Sequence, residues 1–253
     1  MKLREKLITL SLTLLLIISL TACGGGSATP AQVPATTPVP EPSPATEPVV
    51  AEEPLLEPEP TPATEDLSAV QTEFTLTAGN YVAGIDIPGG TMNVEAISGT
   101  GNLSSSNMFS GGINEMFGID DGSEWYTETF NNLKLPEGET LSLNNQLTIK
   151  LTYTKVTSNF TGRTYDDASA IDLGSGNYIA GNDFPAGIYK IVAKSGTGNL
   201  SSDNMFDGGV NEMFGIDNGT GFYNDQFINA NLPDGTTLTI SGGLSVTLIP
   251  AIN

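Results

Sequence analysis

Apolar and polar residues alternate along several short stretches of this chain, and the pattern recurs 97 residues later. A period of two residues is typical of a β-strand with one buried face. In the first such stretch Met92, Val94 and Ala96 are the inward positions, and Tyr189, Ile191 and Ala193 are their counterparts. These positions therefore predict one equivalent strand in each copy.

Further along, the same alternation predicts a strand with Tyr126, Glu128 and Phe130 on one face, repeated at Tyr223, Asp225 and Phe227. The segments 141–143 and 147–151 predict a closing hairpin around Asn144-Asn145. Turn signals of the form Pro-x-Gly separate the strands, and no stretch of ten residues has helical periodicity. The pattern predicts an all-β chain of small antiparallel β-sandwich or jelly-roll-like domains.

The repetition extends without a gap from residues 79–151 to residues 176–248, with 40 of 73 positions identical. Matches concentrate in one block, where 21 of the 25 residues in 98–122 recur in 195–219. The period is too long for a solenoid unit and suits a small domain. We therefore expect two tandem β-domains, residues 71–155 and 170–253, joined by a linker at 156–169.

The N-terminus has the layout of a secretory leader, with Lys2, Arg4 and Lys6 preceding an apolar run that ends in Leu-Thr-Ala-Cys. The run is shorter than a membrane-spanning helix requires. These last four residues resemble the lipobox of bacterial lipoproteins. The resemblance implies a signal peptide at residues 1–22, lipidation of Cys23, and anchoring on the extracytoplasmic face of the cell membrane.

Residues 23–70 contain 11 of the 16 prolines, mixed with Ala, Thr and acidic residues. Such a composition buries too little apolar surface to offset chain entropy. It predicts a disordered, extended tether that holds the domains away from the membrane.

Each repeat also carries the pattern Gly-Asn-Tyr-x-x-Gly-x-Asp-x-Pro-x-Gly, beginning at Gly79 and at Gly176. This pattern resembles extracellular repeats of uncharacterised Gram-positive cell-surface lipoproteins. The first copy departs from the pattern at Met92, where an aromatic residue is usual. The resemblance implies location and architecture, with no activity or binding residues to transfer.

Charge and composition limit the possible functions. The formal net charge is −20, which disfavours nucleic acid as a partner. The chain has no histidine and one cysteine, which removes Ser-His and Cys-His nucleophile pairs and zinc sites built from these residues. We therefore expect no enzymatic activity, although carboxylate pairs such as Glu115 with Asp120 occur in both copies.

The repeated block and the residues after it hold the candidate binding groups. Exposed aromatic rings can stack on sugars while amides and carboxylates bond to hydroxyl groups. The candidates for glycan binding are Trp125, Phe222, Asn107, Asn204, Glu115 and Glu212. The structural alternative is a turn system rich in Gly and Asn, with Met and Phe packed beneath it.

A weaker candidate is a calcium site at Asp120, Asp121 and Asp217, although the segment does not match an EF-hand loop. The sequence thus favours a lipid-anchored surface protein that binds wall or surface glycans. Alternatives are a structural or protein-adhesion role in the envelope without a small ligand, or calcium-stabilised domains. The oligomeric state stays open.

Overall fold

The computed structural model describes residues 67, 69–119, 122, 124–216 and 221–252. This part of the chain is almost entirely β, with sixteen strands and one short 3-10 helix at Asp167–Ser169. The predicted all-β class is confirmed. The predicted signal peptide, Cys23 and almost all of the tether lie outside the described residues, as do Asp120, Asp121 and Asp217.

The first repeat and the strand before it form two four-stranded sheets, in the orders β1-β8-β3-β6 and β5-β4-β7-β2. The strands are β1 Glu73–Leu76, β2 Gly79–Val82, β3 Gly89–Ser98, β4 Thr100–Ser105, β5 Asn114–Gly118, β6 Thr129–Leu135, β7 Thr140–Leu143 and β8 Thr148–Ser158.

The second repeat follows the same plan, with the orders β9-β16-β11-β14 and β10-β15-β12-β13. Its strands are β9 Ile171–Leu173, β10 Gly176–Ile179, β11 Gly187–Ser195, β12 Thr197–Ser202, β13 Asn211–Gly215, β14 Gln226–Leu232, β15 Thr237–Ile240 and β16 Ser245–Pro250.

Each repeat has its own hydrophobic cluster between its two sheets. The predicted inward residues Met92, Val94 and Ala96 on β3 are all buried, as are Tyr189 and Ile191 on β11. Alternation therefore identified the core-facing side of these strands. Among the described residues, no helix has the length and apolar character needed to cross a membrane.

Two details of the strand prediction are wrong. Strands β7 and β8 are consecutive but lie in opposite sheets, so 141–143 and 147–151 do not form a hairpin. Their inward residues, such as Leu143 and Ile149, approach one core from its two sides. In addition, β6 begins only at Thr129 and β14 at Gln226, so Tyr126 and Tyr223 precede the strands predicted to contain them.

The Gly-x-Asp-x-Pro-x-Gly pattern builds a turn. Asp86 Oδ2 accepts a hydrogen bond from the Val82 N–H at 2.8 Å, and Asp183 Oδ2 accepts one from Ile179 at 2.7 Å. Gly84, between Val82 and Asp86, has φ +86°, a conformation that a residue with a side chain would disfavour. The pattern is therefore explained by local backbone geometry.

The two repeats are joined through a shared sheet. Strand β2 of the first repeat lies parallel to β14 of the second, with Gly79 opposite Ile228, and this contact produces the eight-stranded order β5-β4-β7-β2-β14-β11-β16-β9. Both repeats fall in one compact unit. Their predicted division into two separate domains stays a prediction.

Candidate functional site: a polar groove between the repeats

Asn side chains from both repeats form hydrogen bonds across the junction between the repeats. Asn80 Nδ2 donates to the Gly208 carbonyl at 2.8 Å and to the Gly209 carbonyl at 3.2 Å, and Asn229 Nδ2 donates to the Asn80 carbonyl at 2.9 Å. Asn80 Oδ1 accepts from the Ser142 hydroxyl, which orients the amide. Asn80 and Asn229 are buried, at 7 % and 4 % exposure, so these bonds are shielded from water.

The linker between the repeats braces the same junction. Tyr165 OH donates to Asn229 Oδ1 at 2.5 Å, and burial raises the pKa of the Tyr165 phenol well above its ordinary value. Arg163 Nε donates to Asp86 Oδ1 at 2.9 Å, and both side chains are buried. The linker therefore ties the first repeat to the second by side-chain contacts as well as by covalent connection.

Apolar contacts accompany these polar ones. Ala78, which directly precedes β2, is buried in the hydrophobic cluster of the second repeat. Ile228 on β14 packs in return against the cluster of the first repeat. Each repeat thus contributes one side chain to the core of the other, so the junction is apolar as well as polar.

Beside this junction lies the inter-repeat groove, a cavity of about 800 Å³. Its floor is the outward face of β2, β7, β4 and β5. Register places Asn80, Ser142, Ser104 and Asn114 in one row across these four strands, since each is paired with the next. The floor is therefore a line of short amide and hydroxyl side chains.

The second repeat supplies the opposite wall of the groove. Phe206, in the loop between β12 and β13, lines the groove together with the floor residues and is 93 % exposed. A second cavity of about 230 Å³ shares Phe206, Asn80, Ser104 and Ser142 with the first. The phenyl ring thus contributes to the lining of both cavities, and Met108 lines the larger one on the side of the first repeat.

The groove has amide and hydroxyl side chains beside apolar surface and carries little charge. Its lining includes two charged side chains, Arg163 and Asp207, and Arg163 is in the buried ion pair with Asp86. A neutral lining of amides and hydroxyls favours hydroxyl groups over phosphate or carboxylate. The volume lies in the range of small-molecule binding sites.

The predicted aromatic candidates are exposed but lie apart from this groove. Trp125 and Phe222 are each 73 % exposed and occupy equivalent positions in the two repeats. Thr127 N–H donates to the Met116 carbonyl at 2.9 Å, so the segment after Trp125 runs along the outer edge of β5. Neither ring contributes to the lining of the inter-repeat groove.

The predicted amide candidates hold the loop of the repeated block in place. Asn107 Nδ2 donates to the Lys134 carbonyl at 2.9 Å, and Asn204 Nδ2 donates to the Asn231 carbonyl at 2.8 Å. Each amide therefore pins the loop before β5 or β13 to the neighbouring β6 or β14. Their nitrogen atoms are engaged within the protein, which matches the structural alternative for this block.

The predicted carboxylate candidates differ between the two repeats. Glu115 on β5 is exposed, whereas its counterpart Glu212 on β13 is 2 % exposed. Glu212 Oε2 accepts hydrogen bonds from the Asn145 N–H and from Asn224 Nδ2, both at 2.9 Å. Burial raises the pKa of Glu212 to about 7, and these two hydrogen bonds oppose the rise. Glu212 is therefore part of the junction.

The sequence pattern did not predict that Phe206 lines the groove, nor that Phe109 is exposed. The block's Met and Phe residues were expected to pack beneath the turns, but only Phe117 and Phe214 are buried. Five apolar positions are exposed in both copies. Their repetition in the sequence does not indicate whether they are exposed or buried. They are Met108, Phe109, Met116, Ile119 and Trp125, with Met205, Phe206, Met213, Ile216 and Phe222.

The calcium candidates lie outside the described residues. Within the part of the chain that the structure describes, no group of three acidic, histidine or cysteine residues is arranged to hold a metal ion. Comparison of the chain with protein-family models, with curated proteins and with solved structures finds no match.

Proposed function

We propose that this chain is a lipid-anchored protein of the extracytoplasmic membrane face that binds neutral wall or surface glycans in the inter-repeat groove. The observation that carries the proposal is that a row of Asn and Ser side chains and the 93 % exposed ring of Phe206 line the same groove. Hydroxyl groups of a sugar match the Ser104 hydroxyl and the exposed Asn114 amide at the outer end of the floor, and a sugar face can stack on the phenyl ring. The N-terminal sequence pattern supports the anchoring part of the proposal.

The chain offers a matched pair of variants for the test. Phe109 and Phe206 are the same residue at equivalent positions and are equally exposed, at 93 %, but only Phe206 lines the groove. Phe206→Ala should weaken glycan binding by about 1 to 3 kcal/mol, by analogy with aromatic stacking on planar ligands, and Phe109→Ala should leave it unchanged. Neither ring is buried, so both variants should fold.

The experiment would use the chain from Gly24 onward, which keeps every described residue and lacks the lipid anchor. Binding to purified wall polysaccharide and to a glycan array would be measured at protein concentrations of a few micromolar. Equal loss in both variants, or binding to no glycan, would argue against the groove. A loss confined to Trp125→Ala with Phe222→Ala would instead assign binding to the two rings predicted from the sequence.

Protein adhesion is the second candidate, and a specific observation favours it. Phe109, Trp125 and Phe222 expose apolar surface outside the groove, and equivalent rings recur in both repeats. Exposed apolar groups of this kind are typical of protein-protein contact surfaces. In that case Trp125→Ala and Phe109→Ala would reduce adhesion to envelope proteins without changing glycan binding.

A further inference from the structure

We infer that this chain associates head to tail with a second copy of itself, through the same surfaces that join its two repeats. Two surfaces meet at the internal junction, and we name the one on the first repeat the front and the one on the second repeat the back. The front comprises Gly79, Asn80 and the Asn145 N–H, and the back comprises Gly208, Gly209, Glu212 and Asn229. One front and one back are consequently left over at the two ends of the unit.

The leftover surfaces carry the same polar residues as the used ones. Gly176 and Asn177 on the second repeat repeat Gly79 and Asn80, and Gly111, Gly112, Glu115 and Asn132 on the first repeat repeat the back surface. The burial of these residues differs sharply. Asn177, Glu115 and Asn132 are exposed, whereas Asn80, Glu212 and Asn229 are buried. The two ends of the unit thus expose the residue types that are buried at the internal junction.

The leftover front has the same geometry as the used one. Thr239 Oγ1 donates to Asn177 Oδ1 at 2.9 Å, as Ser142 does to Asn80 Oδ1 at 2.8 Å. Each hydroxyl holds its amide with the nitrogen directed outward. Gly242, the counterpart of Asn145, also has a positive φ, at +73° against +59°. The backbone N–H that would meet the Glu115 carboxylate is therefore in a similar turn.

The leftover back is preorganised as well. Asn132 has φ +60°, the same unusual conformation as Asn229 at φ +60°. Strand β6 ends one sheet of the first repeat, and β10 ends one sheet of the second. Placing β10 of one copy beside β6 of the next would extend the sheet as β2 and β14 do within the chain. Edge strands with available backbone groups favour this kind of addition.

Two substitutions make the contact between copies weaker than the internal junction. The internal apolar residues Ala78 and Ile228 are replaced at the ends by Ser175 and Asn131. A contact between copies would also lack the linker bonds of Arg163 and Tyr165. We therefore expect reversible association that requires high local concentration, such as lipid anchoring would provide on a membrane surface.

The symmetry of the contact determines the form of the assembly. A front that binds a back leaves a new front and a new back at the ends, which generates rings or open filaments rather than closed dimers. Each added contact would also place Phe109 of one copy over the row Asn177, Thr239, Ser201 and Asn211 of the other. The inference does not depend on glycan binding, because association would be measured in the absence of sugar.

The test is sedimentation velocity of the chain from Gly24 onward, between about 10 μM and about 1 mM, a range that detects weak contacts. The wild type should show a concentration-dependent increase in average mass. Asn177→Asp should reduce association at least about tenfold, because it removes the donor and keeps the bond from Thr239. Glu95→Gln, on an exposed position of β3, is the control and should not change it.

A gain-of-function variant keeps the inference falsifiable. Ser175→Ala with Asn131→Ile copies the internal apolar contact onto both ends and should tighten association by more than about tenfold. Adding Asn177→Asp to this double variant should remove most of that gain. Monomers throughout, in both the wild type and the double variant, would overturn the inference, as would a gain that survives Asn177→Asp, since that would show nonspecific apolar contact.

Discussion

The Glu212 carboxylate of the second repeat accepts a hydrogen bond from the Asn145 backbone N–H of the first repeat at 2.9 Å. Its counterpart Glu115 occupies the same position in the repeat but is exposed. The difference arises from location: β13 faces the first repeat across the junction, whereas β5 lies at the outer edge of the eight-stranded sheet. One residue type therefore has two electrostatic environments in a single chain.

This asymmetry predicts a pH dependence of stability. Burial raises the pKa of Glu212 to about 7 from its ordinary value of 4.5, so folding favours the protonated carboxyl. The stabilisation from the protonated Glu212 carboxyl is fully present below pH 4.5. It is lost as the pH rises toward 7, which lowers the free energy of unfolding by about 3 kcal/mol in total. Other carboxylates add their own slopes, so variants must be compared with the wild type. Urea unfolding of Glu212→Gln should lack this decrease, while Glu115→Gln should retain it. Parallel pH profiles for Glu212→Gln and the wild type would contradict the assignment.

A second prediction concerns the close approach of β2 and β14. A Cβ on Gly79 would lie 2.5 Å from the Ile228 carbonyl oxygen, whereas one on Gly176 would have the Tyr178 ring as its nearest neighbour at 3.2 Å. Gly79→Ala should reduce the free energy of unfolding by about 1 to 3 kcal/mol, and Gly176→Ala by less than about 1 kcal/mol. Chemical denaturation of both variants would measure this. Equal losses would show that the clash at the junction is relieved without cost.

A third prediction tests the membrane anchor. Cys23→Ala should release the chain from the membrane or block its processing, because several acyl chains contribute about 0.8 kcal/mol for each buried methylene group. Detergent partitioning of cell extracts would measure the effect, with Ser27→Ala as the matched control. The lipoprotein assignment would fail if the Cys23→Ala chain entered the detergent phase as the wild type does.

A fourth prediction concerns the segment before β1. Residues 24–70 should be cleaved quickly by a protease of broad specificity, while the unit that begins near Glu73 survives, since that unit buries its alternating strands and the Pro-rich composition of 24–70 disfavours a folded core. Mass spectrometry of the fragments over time would identify the cleavage sites. A cleavage-resistant segment at 24–70 would require a folded structure there.

Periodicity predicted much of the fold, but little of the candidate site. Alternation identified the buried side of β3 because Met92 and Val94 belong to a sheet with one core face. It could not assign β7 and β8 to opposite sheets, since both segments carry the same apolar pattern and only packing separates them. It could not predict the groove either, because the row from Asn80 to Asn114 depends on the pairing of β7 with β2 and β4, which are distant from it in sequence. The exposure of Phe206 was hidden for a simpler reason: an aromatic residue in a turn-rich segment is equally compatible with a core.

The position of β1 has a mechanical consequence. The tether enters the described unit at β1, and only Thr77 and Ala78 separate β1 from β2, whose Asn80 forms part of the groove floor. With the anchoring and polymer binding proposed above, tension would therefore reach the groove through fewer than ten residues. It would load the β1–β8 ladder, where Phe74 packs edge-on against Tyr153 and Phe160. A polymer that stacks on Phe206 of the second repeat would also load the contact between β2 and β14.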